Sequence, residues 1–265
     1  MDSWKSFGKF IGSHLAFIAP ACVALGVLFP EQVGALKPLV TALFAFMTFQ
    51  GALGNNFGNL VHAFRHPASM LVTLLISAVA MPVVAYALGS LFFGDDPNLV
   101  CGIVLEYSVP VAVVSAMWVS MFGGDVAQAL ATLLVSTVLS PVTIPLTLHV
   151  LLGQSVEVDA AGMMVDMLFQ IALPALAGMA VNDLTHGWGK KSLSPVLSPA
   201  AKVALVLVIL SNSTGVSPYM RHLTPQLVGV MVFIAVFATS GYFWGLVVSR
   251  LWRRPRAVQV TMTYQ

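Results

Sequence analysis

Apolar residues in this chain neither alternate nor recur at every third or fourth position. They come in long, nearly unbroken runs at residues 11–29, 38–53, 67–93, 99–122, 126–152, 160–181, 196–213 and 224–248, and a ninth begins near residue 257 and meets the chain end at Gln265. Strands of a membrane barrel would alternate apolar and polar positions. Segments that are apolar all round and that close their backbone hydrogen bonds internally are membrane helices. A helix needs about 20 residues to span the hydrocarbon core, and most of these runs reach or approach that length. Residues 11–29 are longer than the 7–15-residue core of a secretory signal, so a retained first helix is expected although Lys5 and Lys9 precede it.

Composition narrows the picture. Of 265 residues, 58% are hydrophobic and only 8% are charged, with a mean hydropathy of +0.91. Soluble domains carry about 25% charged residues, which excludes an ordinary soluble enzyme, a nucleic-acid binder and a disordered chain. The net charge of +2 matters less than its distribution. Lys5, Lys9, Arg65, Lys190, Lys191, Lys202, Arg250, Arg253, Arg254 and Arg256 fall at one set of helix ends, against Lys37 and Arg221 at the other. Basic ends face the cytoplasm, so the N-terminus is expected there, in a bacterial-type inner membrane. Cys22 and Cys101 form no paired motif and read as small core residues.

Chemistry can sit where polar groups interrupt apolar runs. Glu106 lies about seven residues, roughly 10 Å, into the fourth run, and a carboxylate at that depth costs roughly 2.5–3.5 kcal/mol unless protein or water shelters it. Pro110 cannot donate to the Glu106 carbonyl, which favours a break. The pair reads either as a broken helix with a titratable group at its gap, or as a snorkelling Glu106 packed on Tyr107 beside an ordinary kink. Asp166 and Asn212 fall in the same half of the membrane; if they met Glu106, two carboxylates would compete for charge and one would hold a proton. Ser136, Thr137 and Ser140 precede Pro141 and Pro145 and can satisfy the carbonyls those prolines release, or donate to a substrate. Gln50 has the same two readings. His62 and His66 flank Arg65 at helical spacing, with no further ligand cluster to make them a metal site. No cofactor motif occurs. The Phe17–Ala21 and Gln170–Ala175 stretches each place a proline in an apolar helix, a faint internal repeat of the kind found in secondary transporters.

These features resemble the bile acid:sodium symporter family of organic-anion transporters, in its bacterial branch. The resemblance covers nearly the whole chain and is most specific at residues 134–145 (LVSTVLSPVTIP), at 81–86 (MPVVAY) and in the 123–127 turn (GGDVA). It implies an all-α polytopic membrane protein built from inverted five-helix repeats, 1–152 complete and 153–265 truncated, whose fourth and ninth helices are broken and cross mid-membrane. It also implies departures. The family's fourth-helix signature becomes Val109-Pro110-Val111-Ala112-Val113-Val114-Ser115-Ala116, keeping proline and serine but neither glycine nor asparagine. Sodium positions on the fifth helix fall on Ala129 and Leu133, the third-helix glutamine on Ser77, and the ninth-helix acid at or beside Gln265.

Sodium needs its hydration shell replaced by several oxygens, so a site with alanine and leucine at ligand positions should bind it poorly. The expectation is a secondary transporter of small organic anions without the usual two-sodium site, proton-linked or uncoupled. Glu106, Tyr107, Ser108, Pro110, Ser115, Ser136, Thr137, Asp166, Asn212 and Gln265 are its candidate binding residues. The alternatives are a non-transporting receptor or scaffold, and a truncated, inactive transporter. An intramembrane enzyme would use Ser115 or Ser136 as nucleophile, but no histidine, lysine or paired aspartate falls at matching depth.

Overall fold

The structure, a computed structural model, describes residues 2–58, 67–153, 155–221 and 224–265. Every regular element among them is helical. Among the described residues six helices are long and apolar enough to cross a membrane, or seven if one bent pair counts as a span. The chain is an all-α polytopic membrane protein, as the runs require.

In chain order the elements are α1 (Asp2–Ser13), α2 (Leu15–Leu28), α3 (Pro30–Ala52), α4 (Pro67–Phe93), α5 (Pro97–Glu106), α6 (Val113–Met121), α7 (Val126–Leu152), α8 (Ala160–Leu184), α9 (Gly189–Met220), α10 (Pro225–Leu251) and α11 (Arg256–Tyr264). Three of these runs contain a π turn, at Ile76–Ala80 in α4, Leu168–Ala172 in α8 and Gly189–Leu193 in α9. The first two lie just before Pro82 and Pro174, where a widened turn accommodates a ring that cannot donate. His62 and His66 lie outside the described residues.

One expectation is corrected. Residues 11–29 do not form one helix: the chain breaks at His14, and α1 meets α2 at 76°. The Ser13 hydroxyl donates to the Phe10 carbonyl at 3.0 Å, a local side-chain bond that competes with helix propagation. The fourth run does break as expected. It ends at Glu106 and resumes at Val113, with no helix between.

The helices group into two compact units, residues 1–57 with 169–224 and residues 58–168 with 225–265. Each unit joins two segments distant in sequence, and neither unit boundary falls at residue 152. In the first unit α9 packs along α1, α2 and α3. Polar side chains there find partners across helices: Gln50 Nε2 donates to Ser194 Oγ at 3.1 Å, and Asn182 Nδ2 donates to the Asn55 carbonyl at 2.9 Å. Gln50 thus has a structural partner.

The second unit has its core on both sides of α5. Val100 and Val104 pack with Ile144, Leu148 and Leu152 of α7, while Ile103 packs with Met81 and Ala85 of α4 and Phe237 of α10. Both clusters stop at the break after Glu106, and the candidate site begins there.

Candidate functional site at the broken helix

The break is held open by side chains. At the end of α5 the Ser108 hydroxyl donates to the Val104 carbonyl at 2.6 Å, and the Tyr107 hydroxyl donates to the Ile234 carbonyl of α10 at 2.8 Å. The Tyr107 ring meets Phe237 edge-on with centroids 4.5 Å apart. Beyond Pro110, the buried Val111 amide donates to Ser136 Oγ of α7 at 2.9 Å. An irregular backbone survives in a membrane only where its groups find such partners. Within α7 the Ser140 hydroxyl donates to the Thr137 carbonyl at 2.8 Å, the acceptor that Pro141 leaves without its helical amide, and Thr137 Oγ1 donates to the Leu133 carbonyl at 2.8 Å. Ser136 therefore positions the gap, and Thr137 is engaged inside its own helix.

The gap opens on a cavity of about 470 Å³ within the second unit, walled by α4, the 106–112 gap, α6, α10 and α11. Of the candidate residues, Glu106, Tyr107, Pro110, Ser115 and Gln265 line it. Ser108 and Ser136 line a smaller void of about 30 Å³ behind Pro110. Asp166 is exposed on α8 and does not line the cavity; Asn212 is exposed and belongs to the first unit. The structure thus brings together five of the candidates and leaves those two elsewhere.

Two features define the cavity's chemistry. Among the described residues that line it, Glu106 is the one with a charged side chain. Two oxygens there also lack partners: Ser115 Oγ, in a residue 8% exposed, and Gln265 Oε1. Buried polar atoms are normally paired, so these two are acceptors in waiting. The other end of the Gln265 amide is fixed, since Nε2 donates to the Ala129 carbonyl at 2.6 Å.

Gln265 apart, the contacts that build the wall of α10 and α11 carried no signal in the sequence. The turn after α10 places α11 so that Gly245 receives the Met262 carbonyl, a contact that a Cβ would abolish. Thr261 is fully buried, and its Oγ1 accepts from the Asp125 amide at 2.8 Å. Asp125 in turn caps α7, accepting from the Gln128 amide at 3.0 Å. Tyr264 stacks on Phe122 with centroids 5.0 Å apart and meets Tyr242 at 5.9 Å, which gives the cavity an aromatic side. The ninth segment therefore packs on the second half of the fourth.

The profile of the Sodium Bile acid symporter family matches residues 41–222, more than half of the chain. The uncharacterized protein YbaS of Bacillus subtilis (strain 168) is 32% identical over 250 residues, which cover 94% of this chain and 82% of that one. The probable sodium/metabolite cotransporter BASS1, chloroplastic, of Arabidopsis thaliana is 26% identical over 255 residues, 93% of this chain but 62% of its own length. The uncharacterized sodium-dependent transporter YocS of Bacillus subtilis (strain 168) is 21% identical over 257 residues, 95% of this chain and 77% of its own. A profile match of that extent, a relative as similar as YbaS and a helical membrane fold with its fourth span broken at a proline agree: the chain belongs to the sodium bile acid symporter family.

Proposed function

We propose that this protein is a secondary transporter that carries a small organic anion through the cavity at the broken helix by alternating access, with a proton on Glu106 and without the two-sodium site. It would work in a bacterial-type inner membrane with its N-terminus in the cytoplasm. A cotransporter role accords with the family and with the names of BASS1, a probable sodium/metabolite cotransporter, and YocS, a sodium-dependent transporter.

The observation that carries the proton reading is the charge of the cavity. Among the described residues no lysine, arginine or histidine lines it, and Glu106 does. Two like charges about 4 Å apart repel by roughly 4 kcal/mol at an effective dielectric of about 20. A carboxylate substrate therefore enters readily only when Glu106 is neutral, and the two are carried together. The N-terminus of α6, whose cap residue Ala112 and first-turn Ser115 stand in the wall, offers the positive end of a helix to the substrate's charge. The volume is within the range of small-molecule sites.

A second reading is sodium coupling. Ser115 Oγ and Gln265 Oε1 are unpartnered oxygens, and oxygen is what a hard cation requires. One experiment separates the two. Reconstituted protein is offered a panel of labelled carboxylates under an imposed pH gradient or an imposed sodium gradient. The proton reading expects accumulation driven by the pH gradient alone, which Glu106→Gln abolishes. Accumulation that requires sodium would replace it with the second reading. No uptake of any carboxylate under either gradient would favour a receptor or scaffold.

A further inference from the structure

The first helix carries two chemistries on either side of one packing seam. α1 docks on the first three turns of the α-helical part of α9: Trp4 Nε1 donates to the Val196 carbonyl at 3.0 Å, the Gly8 carbonyl accepts from Lys202 Nζ at 2.8 Å, and Ile11 is buried. A Cβ at Gly8 would stand 2.7 Å from the Pro199 ring, so that position closes the seam. On one flank Phe7 and Phe10 are 46% and 56% exposed. On the other, Lys5 and Lys9 are exposed, and their spacing of four places them on one face.

This helix does not continue the span of α2, from which it departs by 76°. It also holds Asp2, two lysines and three serines, which hydrocarbon would exclude. An apolar stripe beside a basic one is the pattern of a helix lying in the interface. The π turn that opens α9 adds a second basic pair, with Lys190 and Lys191 exposed. Trp188, just before that turn, is 50% exposed, and tryptophan is enriched at the headgroup level. Asp183, at the end of α8, is engaged, accepting from the Phe57 amide at 2.8 Å. By sequence, Asp2 and Asp183 offset two of the four lysine charges.

We infer that α1 and the Lys190–Lys191 turn form one binding surface for the anionic headgroups of the adjoining leaflet, with Phe7 and Phe10 among the acyl chains. The feature stands apart from the cavity and from the question of what is transported.

The test uses the purified full chain in neutral detergent and follows its unfolding temperature as lipid is titrated. Phosphatidylglycerol should raise that temperature more than phosphatidylcholine, and the difference should shrink in high salt. In the variant K5Q/K9Q/K190Q/K191Q the apparent affinity for phosphatidylglycerol should fall about tenfold or more, while its unfolding temperature in phosphatidylcholine stays at the wild-type value. Phe7→Ser with Phe10→Ser should weaken the response to both lipids. An unchanged phosphatidylglycerol affinity in the fourfold variant, an equal wild-type response to the two lipids, or the same rise with inorganic phosphate alone would overturn the inference.

Discussion

At Glu106 and its neighbours, the division of labour among side chains decides what each substitution should do. Ser136 was expected to meet substrate, yet its hydroxyl accepts the buried Val111 amide. Ser136→Ala leaves that amide unpaired, at roughly 1–3 kcal/mol, so a lower unfolding temperature should accompany any loss of uptake. Thr137→Val removes only a bond within α7, and its unfolding temperature should stay close to wild type. Equal destabilisation by the two would contradict the positioning role of Ser136. Tyr107→Phe removes the donor to the Ile234 carbonyl and should cost about 0.5–1.5 kcal/mol, read as a shift in the denaturation midpoint. Ser115→Ala removes an unpartnered hydroxyl. It should therefore leave stability unchanged or slightly raised while it weakens substrate binding, a split that a packing role would not produce.

Among the elements, α11 owes its place to contacts with little local signature. Gly245 must lack a side chain for the Met262 carbonyl to approach. Gly245→Ala should cost roughly 1–3 kcal/mol through overpacking and abolish uptake by displacing Gln265. Gly229→Ala in the same helix meets only ordinary contact with Phe93, at 3.6 Å, and should be tolerated; uptake by Gly245→Ala at the wild-type rate would refute this packing. The break after Glu106 was legible because a carboxylate and a proline four residues apart each oppose an unbroken apolar helix. The Gly245 and Thr261 seams were not, since their partners lie far along the chain and a lone glycine or threonine in an apolar run has no local signature. The break at His14 was missed because residues 11–29 read as one run, whereas the decisive contact is a Ser13 hydroxyl on the carbonyl three residues back. The role of Ser140 beneath Pro141 was readable, because proline itself identifies the carbonyl left without an amide.

For the whole molecule, hydropathy marked where the long helices lie, though not the breaks at His14 and after Glu106, because lipid removes the need for an amphipathic period and leaves long apolar runs as the dominant signal. Which helices share a compact unit was not legible, since each unit joins segments from both halves of the chain. Those pairings rest on interhelical contacts that an all-apolar run does not encode. The same scale holds the central claim, that the cavity at the broken helix is reached from each side of the membrane in turn. Thr239 of α10 lines that cavity. With Cys22 and Cys101 replaced by alanine, Thr239→Cys can be exposed to a membrane-impermeant maleimide in vesicles of each orientation. Labelling from both faces, slowed by whichever carboxylate the transporter accumulates, is the predicted result; labelling from one face only, at a rate no substrate alters, would contradict it.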